Sequence, residues 1–129
     1  MRRIIILGAA MLMLLGACNK VQPIYNVERT EIFTGSGDEV DLKRLQSAIA
    51  NAVTSKTWRV KQIAAGHMEA RFIKGKKEAV VDIKYTKKFY TITYKDSTYL
   101  LNKGNLIHRR YNAWVRGLQK VINRNLGRL

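Results

Sequence analysis

The sequence predicts an α+β fold: an antiparallel sheet of three to four strands with two helices packed on one face, in the order helix, strands, helix. Two observations carry that expectation. Apolar residues recur at helical spacing early in the chain, through Leu42, Leu45, Ile49, Ala52 and Val53, and again late, through Ile107 to Ile122. Between these stretches they alternate with polar residues, which is the period of a strand with one face in solvent.

Asp41 is the expected N-cap of the first helix, because its carboxylate can accept a free N–H of the first turn. Lys43, Arg44, Gln46 and Asn51 fall on the opposite side from the apolar positions, and the helix should stop near residues 55–57. Residues 58–63 are then rich in strand formers, and Gly66 breaks the run. Met68, Ala70 and Phe72 alternate with Glu69, Arg71 and Ile73. Lys74, Gly75, Lys76 and Lys77 read as a hairpin turn. Ala79, Val81, Ile83 and Tyr85 form the apolar side of the next strand, and Thr86, Lys87 and Lys88 the turn after it. Tyr90, Ile92 and Tyr94 alternate with Phe89, Thr91 and Thr93. Residues 102–105 make a further turn, with Asn105 as the expected cap of the final helix. In that helix Ile107, Tyr111, Trp114, Val115, Leu118, Val121 and Ile122 fall within an arc of roughly 120°, wide enough to cover a sheet. Arg109, Arg116, Lys120 and Arg124 cluster on the other side, with Arg110 at the flank.

Residues 1–17 read as a leader rather than as part of the fold. Arg2 and Arg3 precede an apolar run of about 12 residues, shorter than the roughly 17–25 of a membrane span. The run ends in Leu15-Gly16-Ala17-Cys18, a lipobox before the only cysteine. The expectation is cleavage before Cys18 and acylation of its thiol. Asn19 follows where an aspartate would signal inner-membrane retention, which favours the outer membrane, periplasmic face. Residues 18–37 then read as the lipidated cysteine and a tether, since they hold the only proline, Pro23, and end in Gly35-Ser36-Gly37. As a pure linker they would reach about 60 Å. Ile24-Tyr25-Asn26-Val27 interrupts this tether with an apolar patch that suits an extra edge strand or docking on the domain. Residues 38–129 remain for a single domain with one core.

Charge is the second strong feature. Lys and Arg number 24 against 9 Asp and Glu, a formal net charge of +15. Losing Arg2 and Arg3 with the leader leaves 22 against 9, or +13. Asp96 is the last acidic residue, while seven Lys and Arg follow it. Such a field favours anionic partners. In an envelope compartment these are phospholipid headgroups, lipopolysaccharide and acidic proteins, and the export signal argues against nucleic acid. Once Cys18 is acylated no thiol remains for a disulfide or a cysteine-based metal site, and His67 and His108 are too few and too far apart for a histidine site.

No catalytic motif stands out. There is no glycine-rich phosphate loop, no nucleophile elbow and no pair of carboxylates at useful spacing. Asp82 is expected to pair with a neighbouring lysine, His108 to cap or pack, and His67 to be solvated. Tyr85, Tyr90 and Tyr94, with Trp58, Tyr111 and Trp114, suit a core better than a ligand pocket. Lys74, Lys76, Lys77, Lys87 and Lys88 crowd two turns, where lysines commonly protect sheet edges.

Four stretches carry a resemblance: Ile24-Tyr25-Asn26-Val27, Val80-Val81-Asp82-Ile83-Lys84-Tyr85, Tyr90-Thr91-Ile92-Thr93-Tyr94-Lys95-Asp96-Ser97, and Ile107-His108-Arg109-Arg110-Tyr111-Asn112-Ala113-Trp114-Val115. In these the chain resembles small proteobacterial lipoproteins of uncharacterised function. The resemblance implies a compact α+β domain behind a lipid anchor and transfers no activity.

The functional expectation is therefore an outer-membrane-anchored periplasmic lipoprotein serving as a small binding or scaffold module, without cofactor or metal. Cys18 is its lipidation site. The alternative is a basic module that contacts anionic envelope components through Arg109, Arg116, Lys120, Arg124, Lys76 and Lys77. A small envelope enzyme using the aromatic cluster and His108 is the remote rival.

Overall fold

A computed structural model describes residues 20–129. The chain runs β1 (Val21–Pro23), β2 (Val27–Glu31), α1 (Leu42–Ser55), β3 (Arg59–Ala64), β4 (His67–Lys74), β5 (Lys77–Tyr85), β6 (Phe89–Thr98), β7 (Leu106–His108) and α2 (Arg109–Gly127). Over the described residues the fold is α+β with two helices, but the expected strand count is wrong. There is a five-stranded antiparallel sheet, β2-β6-β5-β4-β3, and a separate two-stranded one, β1-β7.

The error lies in the stretch read as a tether and in the turn before α2. β2 carries one buried apolar residue, Val27, among Glu28, Arg29, Thr30 and Glu31, so it shows no alternation. It is an edge strand held by backbone pairing to β6, and Asn26 Oδ1 extends that pairing by accepting the Tyr94 N–H at 2.9 Å. β1 contains Pro23, which an edge strand tolerates because its missing donor faces no partner. β7 takes Ile107 out of the expected helix and pairs it with Gln22.

The central elements follow the alternation. β3 to β6 form a meander in which Ala79, Val81, Ile83 and Tyr85 of β5 face the core together with Met68, Ala70, Tyr90 and Ile92. Gly66 makes the β3–β4 turn at φ +75°, and an added Cβ would meet the Tyr85 carbonyl oxygen at 2.7 Å, so only glycine fits. Both helices cover the same sheet face. Leu45, Ile49, Ala52 and Val53 of α1 and Tyr111, Val115, Leu118 and Ile122 of α2 are all fully buried in the shared core. Asp41 caps α1 as expected, accepting the Arg44 N–H at 2.8 Å. The cap of α2 is His108 rather than Asn105, because β7 occupies the intervening residues.

Candidate functional site

α2 positions the candidate surface. His108 Nδ1 accepts the Arg110 N–H at 3.0 Å and starts the helix at Arg109. From there Tyr111, Val115, Leu118, Val121, Ile122 and Leu126 turn inward. The 3.6-residue period then leaves Arg109, Arg116, Lys120 and Arg124 exposed on one line, a stripe of roughly 22 Å at 1.5 Å per residue. Among the described residues no ion pair includes any of these four cations. Arg116 instead lies over the Tyr25 ring at 4.5 Å, which leaves its guanidinium charge uncompensated.

Tyr25 is placed there by a strap, the Ile24–Val27 patch that the sequence marked for docking, held by a residue that the sequence did not single out. Asn112 is the one buried polar side chain among the described residues. Its Oδ1 accepts the Tyr25 N–H at 2.9 Å, and its Nδ2 donates to the Pro23 carbonyl at 2.9 Å and to Gln22 Oε1 at 3.3 Å. The Tyr25 hydroxyl donates to Gln119 Oε1 at 2.6 Å. Every polar atom of Asn112 is thus satisfied by residues about ninety positions away, which pins the start of the domain across α2. An asparagine at the edge of the apolar arc was the available signal.

The turn lysines occupy a different place from the stripe. Lys76 is exposed and Lys77 half-buried at the β4–β5 turn. Lys77 lies near the head of α2, where its charge reaches His108. Burial, then Arg110, Arg109, Lys77 and Lys20, push the His108 imidazole below its ordinary pKa. Lys77 therefore meets the stripe only at its Arg109 end, beside Arg110, while Arg116, Lys120 and Arg124 lie further along the helix.

The opposite face of the sheet has the other charge arrangement. His67 Nε2 lies 2.7 Å from Asp82 Oδ1, Lys95 Nζ donates to Glu69 Oε2 at 2.6 Å, and Arg71 bridges Glu69 and Glu78. Asp82 thus pairs mainly with His67, and Lys95 is 4.0 Å away. Trp58, Tyr85, Tyr90 and Tyr111 belong to the core, and Phe72, Tyr94 and Trp114 pack against it. Trp58 packs on Phe72 at 5.2 Å, Phe72 edge-on against Trp114 at 4.8 Å, and Tyr94 against Tyr111 at 5.6 Å. Burial pushes the Tyr90 hydroxyl up to about 12, and it donates to Asn123 Oδ1 at 2.5 Å. The Tyr111 hydroxyl is raised by burial too, and is the one buried side-chain polar atom without a partner among the described residues. Tyr85 and Tyr90 also line the rim of a surface depression of about 360 Å³, with Arg29 and Phe89 among others. Another, of about 340 Å³, is lined by Phe33, Val40 and Lys88 among others.

Among the described residues no group of three or more His, Cys, Asp and Glu is placed to hold a metal, and no helix is long and apolar enough to cross a membrane. Cys18 and the leader lie outside the described residues. Comparison with protein-family models, curated proteins and solved structures finds no match.

Proposed function

We propose that this chain is a lipoprotein of the bacterial envelope, acylated at Cys18 and held on the periplasmic face of the outer membrane. Its domain is a binding module that engages an anionic envelope component through α2. The lipobox Leu15-Gly16-Ala17-Cys18 supports the anchor. The observation that carries the binding reading is the stripe Arg109, Arg116, Lys120 and Arg124, in which no cation has an acidic partner among the described residues. Exposed, uncompensated charges on a rigid helix attract a polyanion without first breaking internal ion pairs. The reading assigns the domain no reaction.

Two measurements test it. Intact mass of the membrane-extracted protein should give a chain beginning at Cys18 with acyl mass added; a chain starting elsewhere, or one without acyl mass, ends the anchor reading. Titration with lipopolysaccharide tests the stripe. Arg116→Glu with Lys120→Glu should weaken binding at least tenfold, whereas Lys61→Glu with Lys84→Glu, which changes the net charge equally on the sheet face, should weaken it much less. Binding should also fall steeply with salt, since exposed charges are screened within about 8 Å at physiological ionic strength. Equal losses in the two double variants would reduce the stripe to a contribution to net charge.

A further inference from the structure

The loop between β6 and β7 is built against its own backbone preference. Tyr99 and Leu101 hold φ of 55° and 56°, the left-handed region that glycine occupies without strain and other residues seldom adopt. Leu100 between them is buried, and its carbonyl accepts the His108 N–H at 2.7 Å. That clamp turns both neighbours outward, so Tyr99 is 69% and Leu101 58% exposed. Neither large apolar side chain contributes to the core. Glycine at both positions would serve the fold at lower cost, so the two side chains answer to something outside the domain.

Three elements surround this loop with positive charge. Thr98, at the end of β6, is paired with Glu78, which places the β4–β5 turn and its Lys74, Lys76 and Lys77 at the same end of the sheet. α2 begins there with Arg109 and Arg110, and Lys77 is near enough to act on His108. Lys20 lies there as well, because β1 runs opposite β7 and the Lys20 carbonyl accepts the Arg109 N–H at 2.7 Å. Two acidic groups stand at this end against these cations: Glu78 pairs with Arg71, and the exposed Asp96 accepts the Ser97 N–H at 2.8 Å and keeps its charge.

The position of Lys20 decides what this end faces. The chain joins the fold at Lys20, two residues after Cys18, and two residues span at most roughly 7 Å. The expected long tether is replaced by strands. We infer that the end of the domain bearing Tyr99 and Leu101 rests on an anionic phospholipid bilayer, with Lys20, Lys77, Arg109 and Arg110 over its phosphates. Tyrosine suits that depth, where one end of the ring is apolar and the other wet. Each cation near such a surface adds to the attraction. That this end meets a membrane, and which one, rests on the Cys18 anchor proposed above; the affinity of the loop and its cations for an anionic bilayer is measurable without it.

The test therefore omits it. Among the described residues all strands, helices and buried core residues lie between Val21 and Gly127, so a chain of residues 19–129 keeps every one of them. Its co-sedimentation with vesicles of phosphatidylglycerol and phosphatidylethanolamine is compared with vesicles of phosphatidylcholine alone. Binding is expected on the anionic vesicles. Tyr99→Gly with Leu101→Gly should weaken it about tenfold or more, as loss of two inserted side chains requires. The same variant should melt at or above the wild-type temperature, because the backbone strain is gone. A merely structural role for the loop predicts no such opposition between binding and stability. Lys77→Glu with Arg110→Glu should weaken binding more than Lys61→Glu with Lys84→Glu, and decides the matter alone if the glycine pair does not fold. No wild-type binding, undiminished binding by the glycine pair, or equal losses in the two charge variants overturns the inference. A dimer that the glycine pair abolishes, without vesicle binding, overturns it in favour of a second copy of the chain. Absence of acyl mass on Cys18 would sink the anchor while leaving this result untouched.

Discussion

The outer face of the sheet and the outer face of α2 are both charged and both meet solvent, yet they treat their charges in opposite ways. On the sheet, Glu69, Glu78 and Asp82 are interleaved with His67, Arg71 and Lys95. Register does this: Glu69 lies opposite Asp82 and His67 opposite Lys84, so side chains from β4, β5 and β6 stand within reach across the strands. The acidic side chains there are only 15–26% exposed. On α2 the cations of the stripe have no ion-pair partner among the described residues. Arg116, Lys120 and Arg124 are four residues apart, a spacing at which like charges repel by roughly 0.2–0.5 kcal/mol per pair. The sheet face spends its charges on the fold. The α2 face carries its charges at a cost to the fold, which is the reason to look for their use outside it.

The largest expected effect separates the two sides of α2 itself. Trp114 is half-buried and edge-on to Phe72, so Trp114→Ala should cost about 3 kcal/mol in urea melts, the low end for a truncated core aromatic. Arg116→Ala, two residues on, should cost no more than about 0.5 kcal/mol, the loss of an exposed cation–π contact. Next comes the sheet. Glu69→Ala deprives Lys95 and Arg71 of a carboxylate that is only 15% exposed, and should cost about 1–2 kcal/mol. If Glu69→Ala and Arg116→Ala give the same midpoint, the contrast between the faces is gone.

At the head of α2 the comparison acquires a pH dependence. His108 caps the helix through Nδ1 and has a folded pKa held below 6.5, first by burial and then by Arg110, Arg109, Lys77 and Lys20. A depressed histidine pKa means that the unfolded chain takes up the proton first. Stability from this group is therefore complete above about pH 6.5 and is lost as pH falls through the folded pKa. His108→Ala should lose about 1 kcal/mol at pH 7.5 as a lost cap. Its deficit relative to wild type should shrink towards pH 5. A constant deficit would show that the cations around His108 do not reach it.

Much of this was legible in the sequence, and the limits have a common cause. β4 to β6 were visible because apolar and polar residues alternate along them, β3 because it is rich in strand formers although only Val60 in it is half-buried, and α2 because Tyr111, Val115, Leu118 and Ile122 follow one helical arc. β1 and β7 were not, and β2 showed only as the Ile24–Val27 patch suited to an edge strand, because their pairing is decided at long range. Asn112 holds Pro23 from about ninety residues away, and Asn26 accepts from Tyr94. The row of cations on α2 came from wheel geometry alone. That it has no acidic partner among the described residues, while Lys95 and Arg71 do, depends on which side chains strand register brings together, and composition does not show that. The outward turn of Tyr99 and Leu101 rests on the clamp of Leu100 by His108, again a contact between distant elements.

The smallest predicted effect has the most informative sign. Lys120 stands midway in the like-charge row, four residues from both Arg116 and Arg124, and is exposed without an ion-pair partner among the described residues. Lys120→Ala removes two repulsions and installs the best helix former, so stability should rise by about 0.5 kcal/mol. Part of that gain is electrostatic and should fade in 1 M salt, where screening acts within about 3 Å. The part from propensity should persist. The same substitution should weaken lipopolysaccharide binding. Stability and binding that move in opposite directions at one exposed residue are the signature of a charge retained for a partner. If Lys120→Ala destabilises the domain at low salt, the row is not self-repelling, the side chain has a structural role, and the contrast between α2 and the sheet must be redrawn.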